Sequence, residues 1–171
     1  RADVMSLLEQ DVFFYTTFGG EALSLAAAKA TIQEMREQPV HAHVFRLGAR
    51  LRDGFNAIAA GLDVSSATCK GYACRSIVTF DPAAGNPLLL KSFVQQELIR
   101  RGILWAGFHN MSYRHSDADI DHTLDAYRDV LPLLKEAVER DAVASLLRGA
   151  PVEPVFRRVG NFHTKARNPV A

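Results

Sequence analysis

The stretch from Ser116 to Glu139 constrains the fold more than any other part of the chain. Ser116 precedes Asp119 by three positions, the spacing of a capping box, in which a hydroxyl and a carboxylate each satisfy a backbone N–H at a helix start. Acids at 117, 119 and 121 crowd the first turn, where the helix dipole favours negative charge. Ile120, Leu124, Tyr127, Leu131, Leu134 and Val138 then recur at intervals of three and four, which places them on one helical face. A helix this long with such a stripe needs another layer to cover it.

The rest of the chain supplies that layer. Val4, Leu7 and Leu8 fit a helical face at the start. The run EALSLAAAKATIQEMREQ is rich in strong helix formers, with Leu23, Ala26, Ala27 and Ala30 forming a narrow face, and Pro39 stops it. Val44, Leu47, Leu51, Phe55 and Ile58 predict a second helix ending near Gly61, even though Gly48 and Gly54 each weaken it by about 1 kcal/mol. Leu89, Leu90, Phe93, Val94, Leu98 and Ile99 predict a third, closed at Gly102.

Between the helices, VFFYTTF (12–18) reads as a buried strand or extended segment. ATCKGYACRSIVTFD reads as one strand, or two bent at Gly71, and ILWAGF as a short strand. Strand, helix, strand, helix after a long connecting helix describes a small α/β domain. From Ala142 a short helical patch, AVASLLRG, leads into a proline-rich basic tail expected to drape over the surface or to be partly disordered.

Composition narrows the function classes. The 171 residues are 48% hydrophobic and 23% charged, as in an ordinary globular domain. Twenty Lys and Arg against 19 Asp and Glu leave a net charge of +1, which gives no electrostatic case for a nucleic-acid partner. No run approaches the roughly 18 apolar residues of a membrane span, and the first ten residues lack a signal peptide's layout. The two cysteines, Cys69 and Cys74, suit a reducing cytoplasm, the default location. A first residue of Arg, already inside a helical pattern, leads us to expect that the sequence begins within a longer protein.

Most chemical motifs fail on spacing. Cys69 and Cys74 have no second ligand pair for a zinc site and read as core thiols. His41 and His43, two apart on a helix, point to different faces. Ser112, His115 and Asp117 lie too close in sequence to indicate a converging triad, and no G-x-S-x-G elbow accompanies them. Asp117, Asp119 and Asp121 lack a calcium loop's glycine and distal acid, so no metal site is expected. One pattern has a chemical rationale. TTFGGEALSLAAA sets two hydroxyls and a glycine pair before a helix start, an arrangement that is either a plain turn or an anion site suited to phosphate.

Tyr15 to Leu23, YTTFGGEAL, resembles the T-[FY]-G-G-[NE]-[PA]-L element of class III pyridoxal-phosphate-dependent aminotransferases. The similarity continues through the alanine-rich helix, LGARLRDGFNAIA, SIVTF and QQELIRRGILWAGFHNMSYRHSDADIDHTLDAYRDVL, over roughly residues 1–140. GIL together with SYRHSDADIDHTL is most like the glutamate-1-semialdehyde aminomutase-like branch. The resemblance implies the C-terminal part of a fold-type I enzyme. Residues 1–38 would be the end of the large cofactor-binding domain and the following helix, 39–140 the linking helix and small α/β domain, and 141–171 a C-terminal extension.

It also implies pyridoxal 5'-phosphate as cofactor, a homodimer with shared active sites, and a small amine or carbonyl substrate. The family's threonine at Thr17 contacts the phosphate held by the neighbouring subunit, and Thr16 and Gly19 belong to the same element. The family's Schiff-base lysine and the acid that pairs with the cofactor ring lie upstream of this element. None of Lys29, Lys70, Lys91, Lys135 and Lys165 occupies that lysine's position, so no catalytic residue is expected in this chain and the chain alone should be inactive. Phe108-His109-Asn110-Met111 stands where ornithine-type relatives carry a carboxylate-binding arginine. His109 and Asn110 then either face the substrate or serve the core or an interface, and Arg75 and Arg114 are alternative anion partners. Transfer and intramolecular migration of the amino group both remain open. The rival reading is a non-catalytic binding or scaffolding protein that keeps only the small domain.

Overall fold

The computed structural model describes residues 2–10, 12–13 and 15–153. The tail expectation beyond residue 153, with Lys165, lies outside them. The chain divides into two compact units, one up to His41 and one from Ala42.

The first unit carries α1 (Ala2–Gln10) and α2 (Ala22–Glu37). Of the buried strand or extended segment expected over 12–18, no strand forms among the described residues, and those residues are not buried: Phe13, Tyr15 and Phe18 are exposed and residues 17–20 make a turn. A strand requires a ladder partner, and the described sheet contains none for this segment. α2 ends where expected, at an extended Gln38 whose N–H donates to the Glu34 carbonyl, just before Pro39. None of its residues is buried.

The second unit is built on α3 (Val40–Gly61), α4 (Pro87–Ile99) and α5 (Asp117–Glu139) beside one antiparallel sheet. The sheet is a hairpin of β1 (Ala67–Tyr72) and β2 (Arg75–Phe80), with β3 (Phe108–Asn110) added beside β2. Of the two readings for 67–81, two strands is correct, and the chain reverses at Ala73-Cys74 rather than at Gly71. ILWAGF was expected to be a strand, yet only its last residue enters the sheet. Gly102 and Gly107 take positive φ at either end of the preceding segment, which keeps it out of the ladder. A short helix, α6 (Val143–Leu146), follows α5.

The apolar stripes meet as their spacing requires. Leu47, Leu51 and Phe55 of α3, Leu90, Val94 and Leu98 of α4, and Leu124, Leu131 and Leu134 of α5 are buried together with Cys69 and Val78 of the sheet. The capping box of α5 is complete: the Ser116 N–H donates to Asp119 Oδ2 at 2.7 Å and the Asp119 N–H donates to Ser116 Oγ at 3.3 Å. Pro132 sits inside α5 on its exposed side, where water can satisfy the carbonyl it leaves unpaired.

Gly48 explains why a weak helix former stands inside α3. A Cβ there would lie 1.9 Å from the Ala73 carbonyl oxygen, so the helix touches the hairpin turn through bare backbone. Gly61, at the end of the same helix, would meet nothing within 4 Å. Gly48→Ala should therefore destabilise the chain by roughly 1–3 kcal/mol in denaturant unfolding, whereas Gly61→Ala should change stability by less than about 1 kcal/mol. Equal effects at the two positions would contradict this packing.

Candidate functional site

The threonine–glycine element closes a tight turn in front of α2. A Cβ on Gly19 would come within 2.2 Å of Thr16 Oγ1, so a larger residue there would force that hydroxyl to turn away. Thr16 and Thr17 are exposed. The helix start itself is not open, however. Glu21 is the N-cap, and its carboxylate accepts from the Leu23 N–H at 2.9 Å and the Ser24 N–H at 2.6 Å. The Ser24 hydroxyl and these amides hold the Glu21 carboxyl below the usual carboxylate range. Two of the free amides on which an anion site would draw are thus already occupied. The exposed hydroxyls of Thr16 and Thr17 are what the element still offers an incoming group.

His109 and Asn110 are parted by the alternation of a strand. Register places Ser76 of β2 opposite His109 of β3, with both side chains directed into the core. His109 Nδ1 lies 2.9 Å from Ser76 Oγ, and Nε2 lies 2.8 Å from the Tyr127 hydroxyl of α5. Burial pushes the imidazole pKa down to about 4, so the ring is neutral at pH 7, donating at one nitrogen and accepting at the other. Burial also raises the Tyr127 phenol well above its ordinary value, keeping it protonated. Cys69 is buried beside this line, its Sγ 3.8 Å from His109 Nδ1, in keeping with a core thiol. Asn110 points the other way and is exposed.

Both residues border a cleft of about 650 Å³ framed by the 102–106 loop, β3 and the first turns of α5; Trp105, Met111, His115 and Thr123 also line it. Arg75, directly opposite Asn110 in the ladder, stands over the Phe108 ring with its guanidinium 5.5 Å from the centroid. Arg114 is exposed. His41 and His43 do not pair: His43 Nε2 meets the His115 carbonyl at 2.8 Å and its ring packs edge-on against Tyr113. Among the described residues no cluster of His, Cys, Asp and Glu could hold a metal.

The sequence reading missed one charged feature. Arg46 grips Asp117 with both terminal guanidinium nitrogens, at 2.7 and 2.9 Å, while Arg50 reaches Asp117 and Asp121. The acids at the start of α5 therefore serve its attachment to α3 as well as its dipole. The available signal was two matched i, i+4 pairs, Arg46/Arg50 and Asp117/Asp121, one on each helix.

The buried imidazole makes stability depend on pH. Below its ordinary value near 6.5 the unfolded chain takes up a proton that the folded ring refuses. Stability should be full above about pH 6.5 and fall as the pH drops toward about 4, with about 3 kcal/mol lost through this group. Thermal unfolding across that range should show the loss in the wild type and not in His109→Gln.

No family model matches the chain. Curated relatives do. It is 30% identical over 169 residues to the glutamate-1-semialdehyde 2,1-aminomutase of Halobacterium salinarum, a match covering 77% of this chain and 38% of that protein. It is 31% identical over 174 residues to the Haloquadratum walsbyi protein of the same name, with the same two coverages. The match to the Desulfitobacterium hafniense protein is 28% over 129 residues, covering 69% and 30%. The chain thus spans well under half the length of these relatives. Among solved structures, the Sphingopyxis sp. MTA144 FumI protein, in its PLP internal aldimine form, superposes with a TM-score of 0.64 at 23% identity, over 75% of this chain and 31% of that one. The resemblance carried by YTTFGGEAL and the block ending in DIDHTL is borne out: the chain is related to the glutamate-1-semialdehyde 2,1-aminomutases and has the α/β fold of the C-terminal part of a fold-type I pyridoxal-phosphate-dependent transferase.

Proposed function

We propose that the chain is the C-terminal portion of a pyridoxal-phosphate-dependent aminotransferase or aminomutase that moves an amino group between an amine and a carbonyl compound. The observation that carries this reading is the match of 77% of the chain to aminomutases of which it spans only 38%. The exposure of Leu25 and Ile32, seven residues apart on one side of α2, supports it, because apolar side chains placed so need protein from outside the first unit to cover them. In this reading residues 1–38 complete the large domain, 39–140 form the linking helix and small domain, 141–171 extend it, and two copies share their active sites in the cytoplasm.

Bound pyridoxal phosphate supplies the electron sink for chemistry at the carbon that carries the amino group. The chain's own residues hold and orient. Thr17, with Thr16 and Gly19 in the same turn, would hold the cofactor by donating a hydrogen bond from its hydroxyl to the phosphate. Glu21 keeps the helix start closed, so the phosphate is met by hydroxyls rather than by the amides of Leu23 and Ser24. His109, neutral and engaged at both nitrogens, is a poor proton carrier at neutral pH and instead fixes β3. Asn110, exposed on the opposite face, is the member of the pair able to meet a substrate.

In the full-length protein, Thr17→Ala should weaken cofactor retention by roughly 1.5–3 kcal/mol, the worth of one charge-assisted hydrogen bond. Equilibrium titration of the cofactor measures this, and an unchanged affinity would remove Thr17 from the site.

A further inference from the structure

The outward face of the sheet interleaves large apolar side chains with cations. Strand alternation and register set Lys70, Ile77 and Phe108 in one row across β1, β2 and β3, and Tyr72, Arg75 and Asn110 in the next. Tyr72 is 78% exposed, Ile77 49% and Phe108 38%, and Lys70 and Arg75 are exposed as well. No aspartate or glutamate occurs in any of the three strands. Elsewhere in this unit Arg46, Arg50, Arg52 and Arg101 each hold a carboxylate. Among the described residues neither Lys70 nor Arg75 has one, and Arg75 stands over the Phe108 ring instead.

Each half of this mixture constrains what covers the face. Neighbouring exposed apolar side chains mark an interaction site, and Tyr, Phe and Arg are the residue types that interfaces concentrate. A purely apolar cover would bury Lys70 and Arg75 without partners, which is costly, so the cover has to bring carboxylates. A guanidinium stacked on a ring keeps its edge N–H groups free for such a carboxylate. The same face of a second copy does not serve, because a two-fold contact would oppose cations to cations. A small ligand fits poorly as well, since small-molecule sites are concave and this sheet face is not.

We propose that this face is a docking surface for an acidic patch on the part of the same protein that lies outside residues 1–171. That the patch belongs to the same protein rests on the proposed function: the chain matches only 38% of the Halobacterium salinarum relative, and covalent connection gives a surface a high effective concentration. Asn110, the last residue of β3, stands at the rim, where it also borders the cleft.

The test uses the full-length protein. Carbodiimide joins a lysine amine to a carboxylate in contact with it, with loss of water, and peptide mass mapping identifies both ends. A bond from Lys70 to an Asp or Glu outside residues 1–171 is expected, together with acetylation of Lys70 that is slower by roughly tenfold or more in the native than in the urea-unfolded protein. Arg75→Glu should raise native Lys70 acetylation severalfold, and Arg75→Lys should not. The proposal is overturned if native Lys70 is acetylated at the unfolded rate, or if Arg75→Glu leaves slow acetylation unchanged. It is equally overturned by a bond to an acid within residues 1–171 or to a second copy, which mixing isotope-labelled and unlabelled protein reveals, and by protection that appears only when a small dicarboxylate is added. The intact mass of the natural protein separates the two readings. A mass near 18.9 kDa would remove the proposed function itself, whereas a larger protein with an open Lys70 would remove only the docking surface.

Discussion

Tyr127 ties the second unit together. It is fully buried, packs edge-on against Phe55 of α3 with ring centroids 4.8 Å apart, and meets His109 of β3 with its hydroxyl. One side chain therefore sets the distance between α3, α5 and β3. The apolar part is non-directional burial, while the polar part allows one register of β3 only, since a slip by one residue would turn His109 outward and bring Asn110 into the core. The cost of an unpaired buried imidazole enforces that register.

This arrangement separates what holds the site from what can act in it. His109 is tied inward, which leaves Asn110, Phe108 and Arg75 on the outer face of the sheet. The Arg46 and Arg50 pairs with Asp117 and Asp121 are about half exposed and contribute little stability, but they fix how α5 starts beside α3. That start is also one wall of the cleft. The lining of the cleft thus inherits its geometry from the core and from one charged cluster.

Helices were legible in the sequence because their signals are local. The Ser116 box and the stripe from Ile120 to Leu134 needed only periodicity and end chemistry, and both appear as read. What failed was partly non-local. VFFYTTF has the composition of a strand, but composition cannot provide a pairing partner, and the described residues are exposed. ILWAGF was misjudged because the positive φ of Gly102 and Gly107 outweighs the apolar run between them. The Glu21 cap escaped notice because glutamate is not a favoured N-cap residue, and it changes how the threonine turn can receive an anion. The salt bridges joining residues 71 apart had a signal in the matched spacing of Arg46/Arg50 and Asp117/Asp121, but spacing does not say that the two helices meet. The family was legible because its motif is a chemical pattern rather than a contact.

The central claim is that this chain completes a cofactor site without providing the lysine that holds the cofactor. Borohydride reduction of the full-length protein loaded with pyridoxal phosphate, followed by peptide mass mapping, measures that directly. The account predicts one stoichiometric label on a lysine outside residues 1–171 and none within them. A stoichiometric label on Lys29, Lys70, Lys91, Lys135 or Lys165 would contradict it, and would place the reactive centre within this chain.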